Sequence, residues 1–273
     1  MRRSQRTLVH VSSPRRRLPA LLATALVLLA LSGCGAGKQA LVPTCRAVTP
    51  TGIGSYAVTP GQAANAATIA AVGRRSGLGD HAITIALATA LQESGLNNLT
   101  YGDRDSVGLF QQRPSQGWGT RERILEPRLA SAAFYERLRK VPGWANLPVT
   151  EAAQAVQHSA APAAYAQWED PARALARAFT GQIPAGLSCT IATPKAATSG
   201  PVVLRSAVLD LGPNALQHPR STAATDWSEA TWLVAHAQDL SLRTVSTRGQ
   251  SWTVTAGRWQ PDPAARTVGI TFG

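Results

Sequence analysis

Residues 88–96 read Ala88-Thr89-Ala90-Leu91-Gln92-Glu93-Ser94-Gly95-Leu96. They close an apolar run that starts after Asp80 and carries Ile83, Leu87, Ala90 and Leu91 on one helical stripe. Gly95 marks the stop, since glycine readily adopts the left-handed conformation that ends a helix. A helix that stays apolar to its last turn and ends on Glu-Ser-Gly sets one carboxyl between a packed interior and the loop beyond. Burial disfavours the charged form, so such a carboxyl keeps its proton nearer neutrality and can still release it in a transition state. A glutamate at a helix end is also an ordinary solvated cap, so the residues that follow decide what Glu93 is for.

Those residues are loop-forming. The stretch 96–119 is rich in Gly, Asn, Asp, Ser and Pro, which predicts a loop or short hairpin. Around it the pattern is helical. Thr59-Pro60 opens a helix that runs to Gly77, and further helices are expected over 121–140, 151–159 and 163–180. The expectation is a mostly α domain with one irregular insert after its second helix.

Within the insert, residues 101–113 read Tyr-Gly-Asp-Arg-Asp-Ser-Val-Gly-Leu-Phe-Gln-Gln-Arg. Glu93-Ser94-Gly95-Leu96 followed by Gly108-Leu109-Phe110-Gln111 resembles the lytic transglycosylase and goose-type lysozyme superfamily, in which a Glu-Ser pair ends a helix and a Gly-Leu-Met-Gln motif lies in the following hairpin. Gly102-Asp103-Arg104 is similar to the Gly-Asp-Arg of the goose-type enzymes. The resemblance covers roughly residues 60–180. It implies a lysozyme-like domain whose cleft takes the β-1,4-linked amino-sugar strand of peptidoglycan. On the same footing Glu93 is the catalytic acid, Ser94 helps to hold the sugar or the acid, Gln111 faces substrate, and Asp103 belongs to the substrate-binding set. The bland alternatives are a polar turn at Gln111 and Gln112 and a turn-forming aspartate at Asp103.

The chain departs from the pattern at three places. Phe110 replaces Met, and Arg113 stands where the goose-type enzymes have a second aspartate. The late Tyr-Asn motif is reduced to Val156-Gln157, with Gln157 in place of the asparagine, and Tyr165 is a candidate to supply the missing tyrosine. Hydrolysis needs a second carboxylate, for which Asp103 and Asp105 are the nearby candidates. A lytic transglycosylase needs only the acid, so the resemblance favours that reaction. A third possibility is an envelope protein that keeps the fold and binds peptidoglycan or a partner without turnover. Trp118, Trp144 and Trp168 are core or rim residues that could also stack on sugar rings.

The ends of the chain are read separately. Arg15, Arg16 and Arg17 precede an apolar stretch from Leu18 to Leu31, too short to span a membrane, which predicts a signal peptide over 1–33. Leu31-Ser32-Gly33-Cys34 resembles a bacterial lipobox. That resemblance implies a lipidated Cys34 and a protein held to the outer face of the cell membrane, each buried CH₂ contributing about 0.8 kcal/mol. Cys45 and Cys189 then remain as an even pair outside the cytoplasm, which predicts a disulfide.

Composition excludes other classes. Residues 1–33 hold six of the 27 Lys and Arg and none of the 15 acids, so the remainder carries 21 basic and 15 acidic residues, a net of +6. No basic run is interleaved with aromatics, so nucleic acid is not an expected partner. Five scattered His and three Cys give no ligand spacing, so neither metal nor cofactor is expected. The paired α/β lobes of a solute-binding protein are also missing from the pattern.

Residues 34–48 are expected to be a tether, 49–189 the lysozyme-like domain, 190–202 a linker, and 203–273 a small α+β domain. In that last segment Asp226 is expected to cap a helix over 227–240, ahead of strands over 243–247, 251–255 and 267–272. It weakly resembles small C-terminal modules of actinobacterial cell-wall proteins, carried by Trp232-Leu233, Trp252 and Trp259.

Overall fold

The computed structural model describes residues 41–159, 161–194, 198–217 and 221–272. Cys34 and the expected signal peptide lie outside the described residues.

Along the chain, strands β1 (Thr44–Val48) and β2 (Ser55–Val58) lead into helices α1 (Pro60–Arg75) and α2 (Asp80–Ser94). After the insert come α3 (Arg121–Ile124), α4 (Pro127–Lys140), α5 (Val149–Gln157), α6 (Glu169–Phe179) and strand β3 (Leu187–Thr190). The remainder is α7 (Gly200–Leu211), α8 (Ala223–Ala235) and strands β4 (Leu242–Thr247), β5 (Gln250–Thr253), β6 (Trp259–Pro261) and β7 (Gly269–Phe272). The architecture is therefore helical with two small antiparallel sheets, of strand order β2-β1-β3 and β6-β5-β4-β7.

Helix α2 is the axis of the fold. Every residue from Ala82 to Leu91 is buried, on all faces and not only on the stripe of the sequence pattern. A helix that is apolar all round can be satisfied only by being surrounded, and α1, α4, α5 and α6 all pack on it. Helix α1 starts with a reciprocal cap, in which Thr59 accepts from the Gln62 amide and the Gln62 side chain accepts from the Thr59 amide.

Two expected helices divide. The run over 121–140 breaks at Glu126-Pro127. Proline has no N–H to continue a helix but fits the first position of a new one, and Glu126 caps α4 by accepting from the Leu129 amide. The run over 163–180 begins as a 3-10 turn, Pro162–Trp168, before α6.

The expected tether holds a strand. Residues 44–48 form β1, which pairs on one edge with the nearby β2 and on the other with β3, far away in sequence. Cys45 sits directly opposite Cys189 in that pairing, and the two are joined by a disulfide. Their sequence separation is 144 residues, and closing a loop of that size restricts the unfolded chain by about 5 kcal/mol in the chain-entropy account.

The segments on either side of 190–202 share one core, and residues 40–273 form one compact unit. Helix α7 begins inside the expected linker, and it packs on α1 while α8 packs on α1 and α6. The second sheet is fastened to the first through two indoles: Trp252 Nε1 donates to the Cys189 carbonyl at 3.0 Å and Trp259 Nε1 to the Leu187 carbonyl at 2.8 Å. Thr222, not Asp226, caps α8 by accepting from the Thr225 amide. Asp226 is buried within the first turn and paired with Arg248.

Candidate active site

The site starts from the way α2 ends. Gly95 takes the left-handed conformation, φ 59°, and the Leu96 amide reaches back to the Ala90 carbonyl. Helix α1 satisfies the carbonyls left over: Gln62 Nε2 donates to Gly95 O at 2.7 Å and Asn65 Nδ2 to Leu96 O at 2.9 Å. The last turn of α2, with Glu93 on it, is thus fixed by side chains as well as by packing.

The insert folds back over this turn. Val107 and Gln112 exchange both backbone hydrogen bonds, giving the short hairpin that the composition suggested. Its tip is held from two sides. Ser94 Oγ donates to Leu109 O at 2.7 Å, and Gln157 Nε2 donates to Phe110 O at 2.8 Å. Ser94 is therefore engaged with the hairpin backbone and does not line the cleft. Its position joins the helix that carries Glu93 to the hairpin that carries Gln111.

Between hairpin, α4 and the end of α5 lies an open cleft of about 670 Å³. Glu93, Asp103, Gln111, Trp118, Arg137 and Gln157 line it. Gln111 stands at a positive φ of 47°, and its side-chain amide donates to Tyr101 O and Gly108 O. Its carbonyl oxygen occupies the space that a Cβ at position 102 would need, 1.9 Å away, so Gly102 is required for this approach. Of the expected site residues, the acid Glu93 and the substrate-binding candidates Asp103, Gln111 and Gln157 are thus brought together on one cleft.

Glu93 is half-buried, and its carboxyl is raised above the ordinary carboxylic value. Burial is the largest cause, and hydrogen bonds from Tyr165 and Gln157 oppose it. Tyr165 is fully buried and donates its hydroxyl to Glu93 Oε1 at 2.6 Å. Burial and the neighbouring carboxyl push the phenol up, so it stays a donor. The chain thus supplies a tyrosine beside the acid from the 3-10 turn after α5, although the α5 motif itself lacks one.

The two candidate second carboxylates part company. Asp105 accepts from Arg113 Nε at 2.9 Å, from the Ser115 amide at 2.7 Å and from Ser115 Oγ at 2.9 Å. These bonds hold its carboxyl far below the usual range, with the Ser115 amide contributing most. It is a loop anchor, outside the cleft lining. Asp103 lines the cleft but is 88% exposed, with Arg104 at 3.9 Å beside it.

The aromatics divide as well. Trp118 is buried in the cleft wall under Arg137, Trp144 stacks on His81, and Trp168 Nε1 donates to Gln92 Oε1 at 2.8 Å. The sequence pattern missed Arg137, which is one of a run of charged residues closing α4, with Glu136, Arg139 and Lys140, and has no local motif to single it out. It also missed His158 as a cleft residue. His158 is exposed in the left-handed conformation that ends α5.

The fold and the site define an α+β protein with one desolvated carboxyl, backed by a buried tyrosine, in an open polar cleft. No protein-family model matches the chain, and no curated protein matches it in sequence.

Proposed function

We propose that this protein is a lipid-anchored enzyme that cuts the glycan strands of peptidoglycan, as a lytic transglycosylase with Glu93 as its single catalytic acid. The observation that carries the reading is the Glu93 carboxyl, raised by burial at the cleft and bonded by Tyr165. Protonated, Glu93 donates to the glycosidic oxygen as the C1–O4 bond breaks. Left as carboxylate, it accepts the proton of the muramyl 6-hydroxyl as O6 bonds to C1, closing a 1,6-anhydro ring without water. Each proton is returned, so the acid is regenerated. Tyr165 has a part in both halves, since its hydrogen bond favours the ionised form that burial disfavours.

The commitment of Asp105 to Arg113 and Ser115 favours this route over hydrolysis, which would rest on the exposed Asp103. The lysozyme-like assignment of the helical part rests on the motif order, with Glu93 ending a buried helix and Gln111 on the hairpin. Ser94 acts in this reading through the hairpin it holds. A disulfide between Cys45 and Cys189 suits an oxidising compartment, as does export followed by anchoring through lipidated Cys34.

Purified peptidoglycan incubated with the protein tests the reaction by mass spectrometry of the products. Anhydro-muramyl ends are expected; reducing ends would replace transglycosylation with hydrolysis. No release at all would leave a protein that at most binds the wall. Cys34→Ala is expected to move the protein from the membrane fraction to the soluble one, and an unchanged membrane pool would remove the anchor.

A further inference from the structure

The cleft does not stop at the acid. A second hollow of about 420 Å³ adjoins it, sharing Arg137, Val156 and His158 and adding Lys140, Val141 and Pro142. Arg137 stands on the wall common to both. Its guanidinium lies 3.5 Å from the centroid of the Trp118 ring, and Nη2 donates to Gln116 O at 3.0 Å. These contacts fix the side chain without neutralising it.

The charges around it are uneven. Among the described residues no carboxylate comes within ion-pair distance of Arg137 or of Lys140, whereas Arg113 is paired with Asp105 and Arg104 sits beside Asp103. A half-buried cation with no counter-charge, held on an aromatic face and offering a planar fork of donors, is suited to a bidentate anion. The hollow between Arg137 and Lys140 is where that anion would sit.

We propose that Arg137, supported by Lys140, is a substrate-binding residue that holds a carboxylate of the peptide arm carried by alternate sugars of the glycan, so that the cleft selects carboxylate-bearing strands. This rests on the proposed peptidoglycan reading and adds a subsite to it. A β-1,4 amino-sugar backbone whose acid groups are all in amide linkage offers Arg137 nothing to pair with. The arm's free carboxylates do, and the adjoining hollow gives the arm a place to leave the sugar track.

The test uses the full-length protein in detergent, with Glu93→Gln to block turnover, and two probes. One is soluble uncrosslinked strand fragments with their peptide arms. The other is the same fragments after carbodiimide coupling to ammonia, which turns their carboxyl groups into primary amides. Charge-assisted hydrogen bonds of this kind predict about ten-fold tighter binding of the carboxylate fragments. Adding Arg137→Gln brings the two affinities together, and the exposed Lys140→Gln narrows the gap without risk to folding. Higher salt narrows it too. Equal affinities in the Glu93→Gln protein, or a preference that survives Arg137→Gln, would overturn the subsite. If the preference is present but the wild-type protein releases no anhydro ends, the subsite stands and the reaction falls. If anhydro ends form and the preference is missing, the reaction stands and the subsite falls.

Discussion

The Tyr165 hydroxyl donates to Glu93 Oε1 at 2.6 Å from a position shielded from solvent. Two opposite influences therefore meet on one carboxyl. Burial favours the proton and the phenol favours the charge, and burial prevails. An acid that must first give up a proton and then take one back is served by such a balance.

Tyr165→Phe removes the donor and keeps the ring. Glu93 should then be raised further, so the pH at which its proton is lost moves up. The expected result is an alkaline limb of the pH–rate profile displaced to higher pH, with about a ten-fold lower rate because the carboxylate formed in the first half-reaction loses a bond worth about 1–2 kcal/mol. Rates on peptidoglycan measured across pH check this. An unmoved limb would mean that Tyr165 only packs.

Glu93→Gln separates chemistry from stability. Turnover should fall at least a hundred-fold, since a positioned acid contributes on that order. Stability should respond in the opposite sense. The folded pKa of Glu93 lies above its unfolded value, so its contribution is fully present below the unfolded pKa and is lost as pH rises through the folded one. Glutamine does not ionise and escapes that loss. The variant should melt above the wild type in mildly alkaline buffer, and its advantage should shrink toward acid pH. Calorimetry at several pH values checks it.

The elements that the sequence reveals are those set by local chemistry. Thr59-Pro60 announces α1 through its cap, and Gly95 announces the end of α2. Glu93, Asp103 and Gln111 are legible together because the helix end and the hairpin that carry them are close in sequence, whereas Gln157, 47 residues from the hairpin carbonyl it holds, is legible only through the resemblance. What is not legible depends on partners distant in sequence. β1 pairs with β3 across nearly the whole helical part, and its residues look like a tether until Cys189 is placed opposite Cys45. Helix α7 has a proline at its start and few charges, and only its packing on α1 gives it a place. Arg137 shows as special only when Trp118 is brought beneath it.

The disulfide should matter chiefly through the unfolded chain. Cys45→Ser with Cys189→Ser is expected to lower stability by about 2–5 kcal/mol, the range for losing a native bridge of long span. Because the bridge lies in the first sheet, away from the cleft, turnover well below the melting temperature should survive. Chemical denaturation of the double variant, beside its activity at low temperature, checks both halves.

Asp210 on α7 is the sharpest probe of how the C-terminal part is joined to the helices. Its carboxylate is wholly buried, and three elements converge on it. Thr68 of α1 donates to Oδ2 at 2.9 Å, Trp232 Nε1 of α8 donates to the same oxygen at 2.8 Å, and Arg128 of α4 pairs with Oδ1. A buried charge costs several kcal/mol in desolvation, and a full set of partners offsets that cost. Asp210→Asn swaps one acceptor oxygen for an amide that presents its donors to Arg128. It leaves that guanidinium with Glu126 alone, and should cost about 2–4 kcal/mol. If α7 and α8 are integral to one folding unit, the whole chain should melt in a single transition at lower temperature. A separate early transition, with the Glu93 site intact above it, would instead mean that the C-terminal part unfolds by itself. Calorimetry of the variant, with peptidoglycan turnover assayed on either side of the first transition, tells the two apart.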